Sequence, residues 1–261
     1  MNPNRVYAII LRFLFNFRHN LDQVFDAFYW PVIDLLLLGL TTSYFAKQST
    51  NPSAILLTIL SGIVFWILVW RAQHELTTGI LEELWSRNLL NIFGSPLTFA
   101  EWLMAIITLS LIKAIISFSF TVCVAFILYQ TNLFIYGFYF LPLGLLLLMF
   151  GWAVGTLISG VIFRYGTRIQ TLAWAGVMLL SPFSAIYYPL SILPPWAQKV
   201  ALLIPTSYIF EQVRGLINNQ SLDWQKLGIA FGLNLVYLIL SVIFLYRSYQ
   251  QTLKNGLLSV Y

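Results

Sequence analysis

The sequence predicts an all-α integral membrane protein, and three observations carry that reading. Of its 261 residues, 59% are hydrophobic and 9% charged, against roughly 25% charged in an ordinary soluble domain. Apolar runs close to the ~20 residues needed to cross a hydrocarbon core of ~30 Å recur along the chain. Lysines and arginines gather in alternate connections, as they do in chains with a fixed orientation in a bilayer. The whole chain, 1–261, reads as one transmembrane domain in the cell inner (cytoplasmic) membrane.

Residues 4–26 read as an amphipathic interfacial helix. Tyr7, Ile10, Phe13, Leu14, Phe17, Leu21 and Val24 recur at spacings of three and four, with Arg5, Arg12, Asn16, His19 and Gln23 opposite them. Such a helix can rest in the headgroup layer beside anionic membrane lipids. A plain anchor and a contact for a cytoplasmic partner both fit the pattern.

Six transmembrane helices follow, at 27–45, 54–70, 102–129, 133–163, 171–192 and 227–246. With the N-terminus inside, the inner connections hold Arg5, Arg12, Arg18, Arg71, Arg87, Arg164, Arg168, Arg247 and Lys254, and the outer ones Lys47, Lys199, Arg214 and Lys226. Both termini are therefore expected in the cytoplasm. The net charge of +5 is spread over many connections, which fits topology and anionic lipid and gives no sign of nucleic acid.

The polar insert 71–101 is expected on the cytoplasmic side. Leu81, Leu84, Trp85, Asn88 and Ile92 share one helical face, and Glu75, Glu82 and Ser86 the other. Gly94-Ser95-Pro96 should end that helix, and Thr98-Phe-Ala-Glu101 has the spacing of a capping box that starts the third span. A force-transmitting element and a simple connector are both open.

Residues 181–215 hold five of the ten prolines, Pro182, Pro189, Pro194, Pro195 and Pro205. Proline removes a backbone donor and disfavours helix in the residue before it, so this apolar stretch should break into short re-entrant or interfacial helices between spans 5 and 6, on the extracytoplasmic side. Asp34 and Lys113 are ionisable groups inside spans, where charge is costly. Pairing with each other and a role in transport are both open.

Several chemistries are disfavoured. No G-x-x-x-x-G-K-[ST] phosphate loop occurs, and the two histidines, His19 and His74, lie outside the expected spans and form no H-E-x-x-H motif. The single cysteine, Cys123, rules out an intrachain disulfide and reads as a buried packing residue. Arginines through the first twenty residues argue against a cleavable signal peptide.

The chain resembles the membrane-spanning subunit of ABC-2 type exporters. The resemblance rests on Phe28-Tyr-Trp-Pro31, Asp34-Leu-Leu-Leu-Leu-Gly39, Leu89-Leu-Asn-Ile-Phe-Gly-Ser-Pro-Leu97 with Glu101-Trp102, Ser181-Pro-Phe-Ser-Ala-Ile-Tyr-Tyr-Pro-Leu190, Leu193-Pro-Pro-Trp196, Ile204-Pro-Thr206 and Glu211-Gln-Val-Arg-Gly215. It implies a permease for lipid-linked, glycan or hydrophobic cargo, not itself an enzyme. ATP and magnesium would be bound by a separate nucleotide-binding ATPase subunit, and a second permease copy would complete the pathway. It further implies an ATPase-coupling surface at Glu82, Glu83, Trp85, Arg87 and Asn88, and a pathway with an outer gate bordered by Asp34, Phe183, Tyr187, Pro194 and Pro205. An ion-coupled carrier and an intramembrane lipid-handling enzyme, with Asp34, Lys113, Glu211 and Arg214 as its polar site, are the alternatives.

Overall fold

Asn20 decides where the first helix stops. Its backbone is extended (φ −102°, ψ 103°), and its side chain accepts from the Asp22 amide to cap the helix that follows. In the computed structural model, which describes residues 1–47 and 51–254, the 4–26 helix is therefore divided into α1 (Pro3–His19) and the first turn of α2 (Leu21–Ala46). The remaining helices are α3 (Pro52–Trp85), α4 (Leu89–Gly94), α5 (Phe99–Tyr129), α6 (Phe140–Tyr165), α7 (Leu172–Ala175), α8 (Pro195–Ala201), α9 (Pro205–Ile217) and α10 (Trp224–Lys254). Tight 3-10 turns occupy Leu133–Tyr139, Gly166–Ile169, Met178–Phe183 and Leu190–Ile192. The C-terminal end of the expected topology, 255–261, and the side chains of Leu90 and Phe93 lie outside the described residues.

Among the described residues, five helical segments are long and apolar enough to cross a membrane: Leu21–Ala46, Pro52–Trp85, Phe99–Tyr129, Ile135–Ile169 and Trp224–Lys254, with mean hydropathy from 1.5 to 2.3. Their outward faces are greasy, with Leu37 on α2, Ile127 on α5 and Leu240 on α10 each about 60% exposed or more. Apolar surface on this scale is unstable in water and at home in lipid. Cys123 lies on such a face, exposed on α5, and is not the buried packing residue expected of it.

α3 and α6 form the centre. A Cβ on Gly151 would stand 2.5 Å from the Val69 carbonyl oxygen, and one on Gly155 would stand 3.0 Å from the Gln73 carbonyl. Small residues four apart thus let the two backbones approach closely, the usual solution where lipid removes any hydrophobic drive between helices. On the other side of α6, Gly160 meets Phe244 and Leu245 of α10. Asn234 donates to the Leu146 carbonyl (2.9 Å) and Thr156 meets Ser241 (2.6 Å).

These contacts fix the directions. Residues 144–159 of α6 meet α3 in rising order from Leu68 to Leu76, and residues 146–164 meet α10 in rising order from Asn234 to Ser248. α3, α6 and α10 therefore run parallel. Ser117 bonds the Ala27 carbonyl and Tyr129 the Leu35 carbonyl, so α2 and α5 run together, opposite to α3, where Lys113 meets Glu75 and Ile106 faces Gly79.

Because α6 and α10 are parallel, residues 166–223 have to carry the chain back along the full height of the bundle. Gln170 accepts from the Trp85 indole, the Ala173 carbonyl accepts from Gln73, and the Ile186 carbonyl lies where a Cβ on Gly62 would come within 2.7 Å. From Trp85 to Gly62 is about 35 Å of helix at ~1.5 Å per residue. The return is not the single helix expected over 171–192. It is a short helical run, Leu172–Phe183, with α7 at its start and a 3-10 turn at its end, followed by a turn at Ala185 with φ 54°. A 3-10 turn rises ~2.0 Å per residue and extended backbone up to ~3.3–3.6 Å, so this mixed run covers a similar height in fewer residues than an α-helix needs.

α8 and α9 then bend by 98°. Their elbow is not at the rim of the bundle: Tyr237, in the middle of α10, donates to the Leu203 carbonyl (2.7 Å), and Trp66 of α3 meets Phe210 (6.3 Å between ring centres). The sequence placed a separate amphipathic helix from residue 75 onward. Here α3 continues unbroken to Trp85, and only Leu89–Gly94 is a separate helix.

Candidate functional site

Arg71, Glu75, Thr78 and Glu82 recur every three or four residues on α3, so they share one face. That face turns toward α1, α2 and α5, and neighbouring side chains complete it. Arg71 Nη1 lies 2.8 Å from Asp26 Oδ2 of α2 and 3.4 Å from Glu75 Oε1. His74 Nε2 stands 3.3 Å from the same Asp26 oxygen, and its ring stacks on Trp70 with 4.7 Å between centres. Lys113 of α5 reaches Glu75 Oε2 at 2.7 Å and Gln23 Oε1 at 3.5 Å, over the Phe17 ring of α1.

Lower on α3, Glu82 accepts from Gln23 (2.5 Å) and from Asn16 (3.3 Å). Glu83 pairs with Arg12 of α1 and accepts from Asn88 at 2.8 Å. Burial pulls the Arg12 pKa below its ordinary value, and the Glu82 carboxylate pushes it back up. Arg71, Glu75, Glu83 and Lys113 are each no more than 5% exposed. A buried charge without a partner is costly, so the ladder dictates how the four helices sit against one another. A cavity of about 810 Å³ runs beside it, lined among others by Asn16, Asp26, His74, Glu75, Glu82 and Lys113.

Of the two readings left open for Asp34 and Lys113, their pairing with each other does not form. Lys113 is taken by Glu75, and no ion pair reaches Asp34, exposed on α2, among the described residues. Glu75, expected on a wet helical face, is instead 5% exposed.

Of the five residues expected on a docking surface, Glu82, Glu83 and Asn88 turn inward onto α1 and α2 or onto one another. Trp85 is 50% exposed, stacks on Trp174 and donates to Gln170. Arg87 is exposed, with φ 52°, in the turn between α3 and α4.

The residues expected at an outer gate gather on the broken return. Phe183 meets Trp196 (6.0 Å) beside exposed Pro194, and Tyr187 packs half-buried against the core. Pro205 is buried at the first turn of α9, where its missing N–H costs nothing. Glu211 and Arg214 pin the return to α9: Glu211 accepts from the Leu190 amide (2.9 Å) and pairs with Arg214 (3.0 Å), whose guanidinium reaches the Ile186 carbonyl at 3.5 Å. Tyr188 donates to the Pro182 carbonyl (2.6 Å) nearby.

The sequence reading missed Asp26, Arg71, His74 and Glu75. Their spacing on α3 was visible, but not that α2 and α5 would cover it. Among the described residues no group of three or more His, Cys, Asp or Glu is placed to hold a metal ion. Comparison with protein-family models and with curated proteins finds no match for the chain.

Proposed function

We propose that the chain is the membrane-spanning subunit of an ATP-binding-cassette exporter of the ABC-2 type, moved by a separate ATPase. In this reading the chain crosses the bilayer six times, the fifth crossing being the broken return through 170–186. α8 and α9 form a re-entrant elbow on the extracytoplasmic side, α1 lies in the inner headgroup layer, and both termini are cytoplasmic. The ATPase docks at the exposed Trp85 and Arg87 beside α4, and a second copy of the chain completes the route for a lipid-linked, glycan or hydrophobic cargo.

The observation that carries the proposal is the continuity of α3. It is one helix of 34 residues, ion-paired near one end to α1, α2 and α5. At the same end Gln73 and Trp85 hold the start of the broken return, and further along Gly62 holds its far end. A push on the turn after Trp85 therefore moves the ladder helices and the return together. Packed elements of this kind shift between discrete arrangements rather than deforming smoothly.

A P-loop ATPase should co-purify with the chain from native membranes, and Arg87→Cys in a Cys123→Ser background should crosslink to it. Labelling of that cysteine from the extracytoplasmic face alone would defeat the reading. One observation favours a second reading, an ion-coupled carrier: among the described residues, Asp34 sits in a span without an ion partner. Transport that fails in Asp34→Asn and ignores ATP would select it.

A further inference from the structure

Between the start of α5 and the last turns of α10 lies a groove of about 750 Å³. Its size falls in the ~300–1,000 Å³ range of small-molecule sites. Leu103 of α5 and Val242 of α10 line its deeper part. Aromatic rings close its end: Phe99 lies 5.4 Å from Tyr246 and 4.9 Å from Tyr249, centre to centre. Arg247 stands among them, exposed, and is the cation lining the groove.

Three other arginines at this end have partners within the chain. Arg5 lies 3.7 Å from Glu101, Arg12 pairs with Glu83, and Arg164 donates to Ser248 at 2.9 Å. Arg247 makes no hydrogen bond or ion pair among the described residues, and no carboxylate lines the groove with it. An apolar trough that leads to a cluster of aromatic side chains with a cation among them, on two membrane-crossing helices, matches an acyl chain followed by the interfacial region with its phosphate.

We infer that this groove binds an anionic phospholipid from the leaflet on the α1 side, with an acyl chain along Leu103 and Val242 and its phosphate on Arg247. The site faces lipid, apart from the ion ladder and the broken return, and does not depend on which cargo the protein carries. Charge selects the occupant. A zwitterionic lipid offers its phosphate together with a cation that Arg247 repels, and a second protein chain would need a carboxylate at this depth in the membrane.

The test is native mass spectrometry of the full chain released from nanodiscs made with phosphatidylglycerol, phosphatidylcholine or an equal mixture. Wild type should retain phosphatidylglycerol in preference to phosphatidylcholine. Arg247→Gln should lower that retention about five-fold, the size expected for one basic residue near an anionic surface. Ala100→Phe, which fills the groove from an exposed position on α5, should lower retention with Arg247 intact, while Arg18→Gln, an exposed arginine on α1, should leave it unchanged. Equal retention of the two lipids by wild type, or retention unaltered in both groove variants, overturns the inference, as does loss of the mass-spectrometric dimer in place of lipid, which would assign the groove to a second copy.

Discussion

Lys113 Nζ lies 2.7 Å from Glu75 Oε2, with both residues 5% exposed and 38 positions apart in the chain. Both charges are almost wholly covered by protein. Removing one partner leaves the other buried and unpaired, a loss of about 3–5 kcal/mol, whereas removing both in favour of apolar groups is often close to neutral. Lys113→Met should therefore lower the thermal unfolding midpoint of the detergent-solubilised protein sharply. Lys113→Met with Glu75→Leu should recover much of the loss. A double variant no better than the single one would mean that Arg71 and His74 depend on the Glu75 carboxylate as much as Lys113 does.

Arg12 performs the same service for Glu83 from a different helix. Glu83 is 2% exposed while Arg12 is only half-buried, so the burden of a broken pair falls on the carboxylate. Arg12→Ala should release α1 from α3, raising amide exchange across residues 3–19 and increasing cleavage by trypsin at Arg18. Arg18→Ala, on the exposed side of the same helix, should stay within about 0.5 kcal/mol of wild type. Equal protection of α1 in both variants would show that apolar contacts such as buried Phe13 hold it without the ion pair.

How much of this was legible in the sequence depends on how far apart the interacting residues are. The stop at Gly94-Ser95-Pro96 and the start at Thr98 are local backbone chemistry, and both could be read off the chain. The break at Asn20 is local too, but the apolar spacing runs smoothly through it, so periodicity hid the cap. The end of the second span was misplaced for a different reason. Arg71 looks like the first residue in water, yet Asp26 and Glu75 neutralise it inside the bundle. The number of apolar runs likewise counted six helices, while the fifth stops at Phe183, where the chain turns at Ala185 with φ 54°. The partner of Lys113 could not be inferred from spacing at all, because it depends on which face of α3 the fold covers.

The close approach of α3 to its neighbours gives a graded prediction. At Gly62 an added Cβ meets a backbone carbonyl at 2.7 Å, and at Gly151 it meets one at 2.5 Å, while at Gly228 on α10 it meets nothing within 4 Å. Gly62→Val and Gly151→Val should each destabilise by at least the ~1–3 kcal/mol typical of overpacking, since a backbone has to move. Gly228→Val should be near neutral. The two buried variants should also differ in kind: Gly62→Val displaces the turn at Ala185 and Ile186, so exchange should rise over 183–190, whereas Gly151→Val should separate α3 from α6 and lower the midpoint of the whole protein. Uniform effects at all three glycines would contradict the helix spacing described.

Glu101 closes two helix starts at once. Its Oε2 accepts from the Thr98 amide (2.9 Å), completing the box in which Thr98 Oγ1 accepts from the Glu101 amide (3.3 Å), and its Oε1 accepts from the Asn2 amide at 2.7 Å. Thr98→Ala removes one cap interaction and should cost about 1 kcal/mol, with amide exchange increased only around 98–102. Glu101→Ala removes the return half of the box and also frees the start of α1, so exchange should rise at residues 2–6 as well. The discriminating result is the 2–6 segment in the two variants, read by hydrogen exchange and mass spectrometry at one pH. If Thr98→Ala loosens it as much as Glu101→Ala does, α1 is held by the integrity of the α5 cap as a whole and not by the bond from Asn2.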